Sequence, residues 1–286
     1  MIDPSFWRGR RVFLTGHTGF KGSWLSLWLR RLGAEVAGYA LAPNTSPNLY
    51  QLVGLDDLMV SDIGDVRDLV SLTDALQRAR PEIVLHLAAQ SLVRQSYQDP
   101  VETFSTNILG TTHLLEALRR APTVRAAVIV TSDKCYHNEE WVWGYREDSR
   151  LGGDDPYSAS KAGAELVVWA YQRSFFAKVA GAPAVASARA GNVIGGGDWA
   201  ADRLVPDILR SLLAESPTVI RSPDATRPWQ HVLEPLNGYL TLAERLWTGG
   251  HQFAEPWNFG PGEGSERSVG WVVERLHQLW GADRPW

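Results

Sequence analysis

Val12-Phe13-Leu14-Thr15-Gly16-His17-Thr18-Gly19-Phe20-Lys21-Gly22 decides the fold. A short apolar run ends in glycines spaced G-x-x-G-x-x-G, and a helical pattern starts directly behind them. In that position Gly16 permits a tight turn, Gly19 lets a pyrophosphate approach the backbone, and Gly22 allows close packing of the helix. Unpaired N–H groups at the helix start offer donors to an anion. Gly16, His17, Thr18, Gly19, Phe20, Lys21 and Gly22 are therefore the expected dinucleotide site. The spacing differs from G-x-G-x-x-G, so placement after a strand carries more weight than the pattern.

Outward from this turn, apolar runs at Val36-Ala40, Ile83-Leu87, Ala127-Val130 and Ala184-Ala188 alternate with helical patterns around 22–32, 67–79, 101–120 and 158–177. That rhythm predicts an α/β fold, a Rossmann-type doubly wound parallel sheet with helices on both faces. Its strands read as continuous apolar stretches, as strands covered on both faces do. After Gly191 the rhythm breaks at Gly195-Gly196-Gly197, Pro206, Pro217, Pro223, Pro228 and Pro235. The expectation is a dinucleotide-binding Rossmann domain over 1–190 that carries the catalytic residues. A smaller substrate-binding lobe over 191–286 shares its core and covers the ligand crevice rather than extending the sheet.

The chain has 286 residues, 44% hydrophobic and 21% charged, with net charge −4. This is ordinary globular composition with no basic field for a nucleic-acid backbone, so nucleic acid is excluded as the expected partner. The stretch from Met1 to Arg11 has no apolar signal core, and no run approaches the ~18 residues of a membrane span. One cysteine, Cys135, rules out an internal disulfide framework and fits a reducing compartment, so the expected location is cytoplasmic. Cys135 reads as a packing residue, since no histidine stands in an activating relation to it. Among 13 tryptophans, Trp141, Trp143, Trp199 and Trp229 lie in polar, turn-rich segments and are candidates to line a pocket.

Two further stretches belong to the nucleotide end. Asp62-Ile63, after the third strand, is a candidate contact for an adenine ring, and Leu87-Ala88-Ala89-Gln90 offers small residues beside a cofactor. The second strand ends Val36-Ala37-Gly38-Tyr39-Ala40-Leu41, without an acid for ribose hydroxyls or an arginine cluster for a 2′-phosphate. The residues alone leave NAD and NADP open.

At the reacting end, Tyr157 and Lys161 stand four apart on a helix pattern, so phenol and ammonium share a face. The cation is expected to lower the phenol's pKa and make it a proton acceptor. Ser132-Asp133-Lys134 closes the preceding strand. Asn192, Arg221 and Arg227 are candidates for binding a substrate, a guanidinium fork being well matched to a phosphate group. Trp229 and His231 are candidates for the same wall.

The glycine turn, Leu87-Ala88-Ala89, Thr106-Asn107-Ile108-Leu109-Gly110-Thr111, the Ser-Asp run and the Tyr157/Lys161 pair follow the order seen in extended short-chain dehydrogenases acting on nucleotide sugars. The resemblance covers nearly the whole chain. Within that family, Ser132-Asp133-Lys134, Trp141-Val142-Trp143-Gly144-Tyr145-Arg146-Glu147 and Leu151-Gly152-Gly153-Asp154-Asp155-Pro156-Tyr157 resemble the CDP-glucose 4,6-dehydratases. Gly195-Gly196-Gly197-Asp198-Trp199 and Arg227-Pro228-Trp229-Gln230-His231-Val232 do so too.

The resemblance implies catalytic NAD and a CDP-glucose substrate, with Ser132, Asp133, Lys134, Tyr157 and Lys161 as the catalytic set. Tyr157 would deprotonate the 4-hydroxyl with Ser132 on the same oxygen, Asp133 would act as acid at the departing 6-hydroxyl, and Lys134 as base at C5. A lysine base must be neutral, which calls for desolvation, and an acidic Asp133 calls for a closed apolar pocket. The family also implies a homodimer or dimer of dimers through helices near 101–120 and 158–177. Its members generally continue beyond the point where this chain ends, Gly281-Ala282-Asp283-Arg284-Pro285-Trp286, so a truncated form is expected. Another nucleotide-sugar dehydratase, a 4-epimerase and a non-catalytic NAD(P)-binding sensor of the same fold remain as alternatives.

Overall fold

The structure is a computed structural model that describes residues 2–262, 264–281 and 286. Met1 and, at the chain end, Ala282, Asp283, Arg284 and Pro285 lie outside the described residues. Strands β1 (Arg11–Thr15), β2 (Glu35–Ala40), β4 (Ile83–His86), β5 (Ala126–Val130) and β6 (Ala184–Ala190) form where the apolar runs are read, and β3 (Val60–Ile63) takes in the Asp62-Ile63 pair expected to follow it. Beyond them come β7 (Val193–Ile194), β8 (Thr226–Pro228), β9 (Gln230–His231), β10 (Pro256–Phe259) and β11 (Glu266–Ser268). The main sheet runs β10-β6-β5-β4-β1-β2-β3. Every pair in it is parallel. The order reverses direction between β1 and β4, and in such a sheet the crevice beyond the strand ends opens at that point.

Covering helices follow the same local logic. α1 (Phe20–Arg31) starts at Gly19, α2 (Leu69–Ala79) is capped by Asp68, and α5 (Pro156–Tyr171) by Asp155 with Pro156 at its first position. α3 (Pro100–Phe104) and α4 (Gly110–Leu118) are joined by a wide π-type turn, Ser105–Leu109. α6 (Leu204–Leu213), α7 (Leu233–Gly249) and α8 (Val269–Trp280) complete the C-terminal part. Alternation along β1 splits the core: Val12 and Leu14 pack with Leu25, Leu29, Leu236 and Leu240, while Phe13 packs with Leu72, Leu76, Leu114 and Val168. Each such fully buried side chain contributes about 1.5–3 kcal/mol by leaving water.

The part after residue 190 departs from expectation. It covers the crevice with α6 and α8, but it also returns to the sheet, where β10 pairs parallel with β6 from Pro256↔Ser187 to Phe259↔Ala190. Pro256 is tolerated because β10 is an edge strand and need not donate on its open side. The helix pattern at 101–120 likewise hides the π-type turn, which aims Asn107 inward. The Asn107 amide donates to the Gln90 carbonyl (3.0 Å) and the Ser160 hydroxyl (2.8 Å), and its oxygen accepts from Gln90 N (2.9 Å).

Candidate active site

A cleft of about 970 Å³ runs along the strand ends, and the glycine turn forms its floor. Gly16 has φ +77°, and a Cβ there would lie 2.7 Å from Ala88 N. A Cβ on Gly22 would lie 2.0 Å from Gly16 O, so the helix sits against the turn only without side chains. At Gly19 the nearest contact would be Gly16 O at 3.4 Å. With Gly19 lacking a capping side chain, the first-turn N–H groups of α1 face the cleft. These residues fit a dinucleotide pyrophosphate. Thr15 Oγ1 accepts from Ala88 N (3.2 Å) and bonds His86 Nδ1 (2.7 Å), which brings Leu87, Ala88 and Ala89 alongside.

Two expected nucleotide contacts are placed elsewhere. His17 is fully buried and outside the cleft lining, with Nε2 bonded to Ser61 Oγ (2.7 Å) and its ring under Gly38, where a Cβ would meet it at 2.4 Å. Burial pushes its pKa down to about 4, so it is a neutral wedge between the turn and β2. Asp62 pairs with Arg78 (2.9 Å) and Ile63 points to solvent, so neither lines the cleft. That wall is Gly64, Asp65 and Val66, the residues immediately after Ile63, where β3 has ended. Beyond β2 the lining continues through Leu41, Pro43, Asn44 and Thr45, with no carboxylate or guanidinium among them.

Thr18, Phe20 and Lys21 line the cleft as read. The Lys21 ammonium lies 5.9 Å from the centre of the Tyr239 ring. Burial, and then the charges of Arg203 and Lys161, push its pKa down to about 8, with Asp133 opposing.

Ser132, Asp133, Lys134, Tyr157 and Lys161 converge at the middle of the cleft. Ser132 is extended; its hydroxyl donates to Asp133 Oδ1 (3.0 Å) and accepts from Lys134 N (3.2 Å). Asp133 Oδ2 lies where a Cβ on Gly191 would come within 2.8 Å, so glycine at the β6 exit makes room for the carboxylate. Burial raises the Asp133 pKa, with the Ser132 hydrogen bond and Lys134 opposing. Tyr157 sits in the first turn of α5, its N–H donating to Ser96 Oγ (3.2 Å).

The phenol departs from expectation: burial pushes it up to about 12, and the Ser132 hydroxyl, not Lys161, is the first group opposing this. Lys161 instead points Nζ at the Val130 carbonyl (3.5 Å), and burial brings it down to about 8. Lys134 is exposed, so the burial that a neutral amine calls for is not supplied by the protein's own groups. Sequence reasoning missed Tyr239, which is fully buried, has a hydroxyl without a hydrogen-bond partner and feels the charges of Tyr157 and Asp133.

At the far end, Asn192, Arg221, Arg227, Trp199 and Trp229 line the cleft. Among the described residues the Arg221 side chain makes no hydrogen bond or ion pair, and the Arg227 side chain donates only to the Thr226 carbonyl (2.8 Å). Trp229 is fixed through Nε1 to the Arg267 carbonyl (3.0 Å). Trp141 and Trp143 are solvent-exposed and off the cleft, as is His231, whose ring meets Trp24 at 6.5 Å. Arg203 ties Asp198 (2.9 Å) to Ser91 (2.9 Å), and Arg94 holds Asp202 (2.7 Å), which joins the two banks of the cleft. The Cys135 thiol is buried and pushed up to about 12, as suits packing. Among the described residues no group of His, Cys, Asp and Glu is placed to hold a metal ion, and no helix is long and apolar enough to cross a membrane.

The family described as GDP-mannose 4,6 dehydratase matches residues 13–252. CDP-glucose 4,6-dehydratase of Salmonella typhimurium (strain LT2) is 56% identical over 289 residues, covering 100% of this chain and 80% of that protein. Among solved structures, a double mutant of DesIV, a dTDP-glucose 4,6-dehydratase from Streptomyces venezuelae with NAD and DAU bound, superposes with TM-score 0.81 at 26% identity. It covers 96% of this chain and 82% of that one. MoeE5 in complex with UDP-glucose and NAD does so with TM-score 0.76 at 27% identity, covering 94% and 82%.

Proposed function

The chain belongs to the GDP-mannose 4,6 dehydratase family, and from that premise we propose that it is an NAD-dependent hydro-lyase converting CDP-D-glucose to CDP-4-dehydro-6-deoxy-D-glucose. One observation carries the reading: Ser132, Asp133, Lys134, Tyr157 and Lys161 meet in a single cleft whose floor is the glycine turn. Such a set supplies an acid and a base for elimination beside a Tyr/Lys pair for oxidation. A 4-epimerase has no use for the first two.

NAD would be held by the amides of the glycine turn, by Leu87, Ala88 and Ala89, and by Gly64, Asp65 and Val66 at the adenine end. When bound it would supply a hydride acceptor for C4, a hydride donor for C6 and positive charge beside the phenol. Tyr157 takes the proton from the 4-hydroxyl while Ser132 donates to the same oxygen. Oxidation at C4 acidifies the C5–H. Lys134 removes that proton once sugar nucleotide covers it, and Asp133, kept partly neutral by burial, protonates the departing 6-hydroxyl as water. Lys134 returns its proton to C5 as C6 is reduced, and the proton that Tyr157 took from the 4-hydroxyl passes through solvent to replace the one Asp133 gave to the departing water, so cofactor and side chains end as they began. Asn192, Arg221 and Arg227 hold the sugar and diphosphate. The reading places the protein where NAD and nucleotide sugars occur together, the cytoplasm.

Purified protein incubated with NAD and separately with CDP-, dTDP-, GDP- and UDP-glucose is expected to give the alkali-induced absorbance of a 4-keto-6-deoxy sugar with CDP-glucose alone, without net NADH. Comparable signal with another nucleotide overturns the base assignment. Conversion to a C4 epimer with no keto product overturns the elimination.

The protein is also proposed to pair with a second copy through α3, α4 and α5. Val101, Phe104, Leu109, Leu166, Trp169 and Phe175 leave an exposed apolar face there, which four helices packed as a bundle would cover. Light scattering is expected to give a mass of two chains or a multiple, and Leu109→Glu/Trp169→Glu the mass of one. A monomeric parent protein at micromolar concentration sinks the idea.

A further inference from the structure

Behind the reacting end, outside the cleft lining, lies a buried ion pair. Glu165 and Arg189 have side chains only 4% and 3% exposed, and Arg189 Nη2 donates to Glu165 Oε2 at 2.8 Å. The same carboxylate accepts from Ser187 Oγ on β6 (2.7 Å) and from the Thr131 hydroxyl, the residue between β5 and Ser132. Arg189 Nη1 donates to the Tyr136 hydroxyl (2.6 Å) and the Glu147 carbonyl (2.9 Å), and Tyr136 donates onward to Asn258 Oδ1 on β10 (2.7 Å). Glu165 stands one helical turn beyond Lys161 and two beyond Tyr157 on the same buried face of α5. One carboxylate thus ties the helix that carries Tyr157 and Lys161 to the strand end that carries Ser132 and Asp133.

We propose that Glu165, clamped by Arg189, is a positioning residue for the reaction: it sets the approach of the Tyr157–Lys161 face to the Ser132–Asp133 strand end and places a carboxylate one helical turn from the Lys161 amine. The inference rests on the dehydratase reading above. A pair that served stability alone would be replaceable by apolar side chains of similar volume, at little cost or with gain. Here Thr131 directly precedes Ser132, and Ser187 and Arg189 hold β6, whose exit at Gly191 lies against the Asp133 carboxylate.

The groups facing Lys161 are few. Glu165 lies on its own helix, Cys135 on the turn after β5, Lys21 on α1 and His86 on β4. His86 is buried and neutral, pushed down to about 3, and Cys135 is held as a thiol. Burial lowers the Lys161 amine and Glu165 is the largest influence against it. Removing the Glu165 charge therefore lets Lys161 lose its proton at lower pH.

The test is the pH dependence of kcat and KM for CDP-glucose with NAD, from roughly pH 6 to 10, in Glu165→Gln and in Glu165→Gln/Arg189→Met. The double variant leaves no unpaired buried guanidinium, so poor folding of the single one does not leave the question open. In either, the alkaline limb of kcat is expected to fall by about one pH unit while KM stays within about two-fold. Glu165→Asp keeps the charge and is expected to keep the parent limb at reduced rate. A rate loss uniform across pH with the limb unmoved, or a limb displaced as far by Glu165→Asp as by Glu165→Gln, overturns the proposal. An unmodified protein inactive on CDP-glucose but active on another nucleotide sugar overturns the substrate reading instead, and the limb is then measured with that sugar.

Discussion

Tyr157→Phe is expected to lower kcat for CDP-glucose by about 10³-fold and leave KM nearly unchanged. The phenol is buried in the first turn of α5 beside Ser132, so it is the proton acceptor the geometry offers to a 4-hydroxyl bound there. Phenylalanine fills the same space, and losing one hydroxyl costs stability only ~1 kcal/mol. The pH dependence has a definite sign. Burial holds the phenol near 12, so the phenolate fraction, and with it the rate, grows as pH rises from neutrality. The gain ends where Lys161, one helical turn from the phenol and held near 8, loses its charge. In Tyr157→Phe the rising limb disappears. Single-turnover reduction of NAD, followed by its absorbance, checks this; a Phe variant that reduces NAD as fast as the parent removes Tyr157 from the base role.

Local features of the site were readable in the chain, and features set by distant partners were not. Gly16, Gly19 and Gly22 read correctly as a turn because their demands are met within one strand-to-helix connection. Tyr157 and Lys161 share a face because four residues on a helix guarantee it. Asp62-Ile63 lies off the cleft because β3 runs on through Ile63, and the chain meets the cleft only at Gly64-Asp65-Val66; where pairing with β2 stops is not written in the local pattern. His17 occupies a motif position but points under Gly38, a direction no local pattern encodes.

The longer-range misses share a physical reason. Glu165 looks like an ordinary helix acid until Arg189, 24 residues on, and Thr131, 34 residues back, arrive beside it. Tyr239 reaches the reacting end only because α7 packs against β5 and β6. β10 escapes periodicity because a four-residue edge strand headed by proline has too few positions to show any. The expectation that Lys161 would dominate the phenol's acidity failed on magnitude, since burying an ionisable hydroxyl outweighs one ammonium that is itself partly desolvated.

Asp133→Asn is expected to separate the two halves of the reaction. In the proposed mechanism oxidation at C4 uses Tyr157, Lys161 and Ser132, which the substitution leaves in place, because the carbonyl oxygen of the new amide can still accept from the Ser132 hydroxyl. Departure of the 6-hydroxyl as water needs a proton that an amide does not give. Turnover should therefore fall by roughly 10²-fold or more, with NADH accumulating on the enzyme, since C6 cannot be reduced before the 6-hydroxyl has left. The parent protein's sign follows from the raised Asp133 pKa: the acid form persists above the ordinary carboxyl range, and elimination weakens as pH climbs through that raised value. The variant should lack this decline. Lys134→Met provides the contrast. Lys134 is exposed, so folding is unaffected, and what should vanish is incorporation of solvent deuterium at C5. An Asp133→Asn protein that turns over at the parent rate with no NADH build-up would show that the proton reaches the 6-hydroxyl from another group. Tyr239, buried and without a hydrogen-bond partner beside Tyr157 and Asp133, is then the next residue to replace.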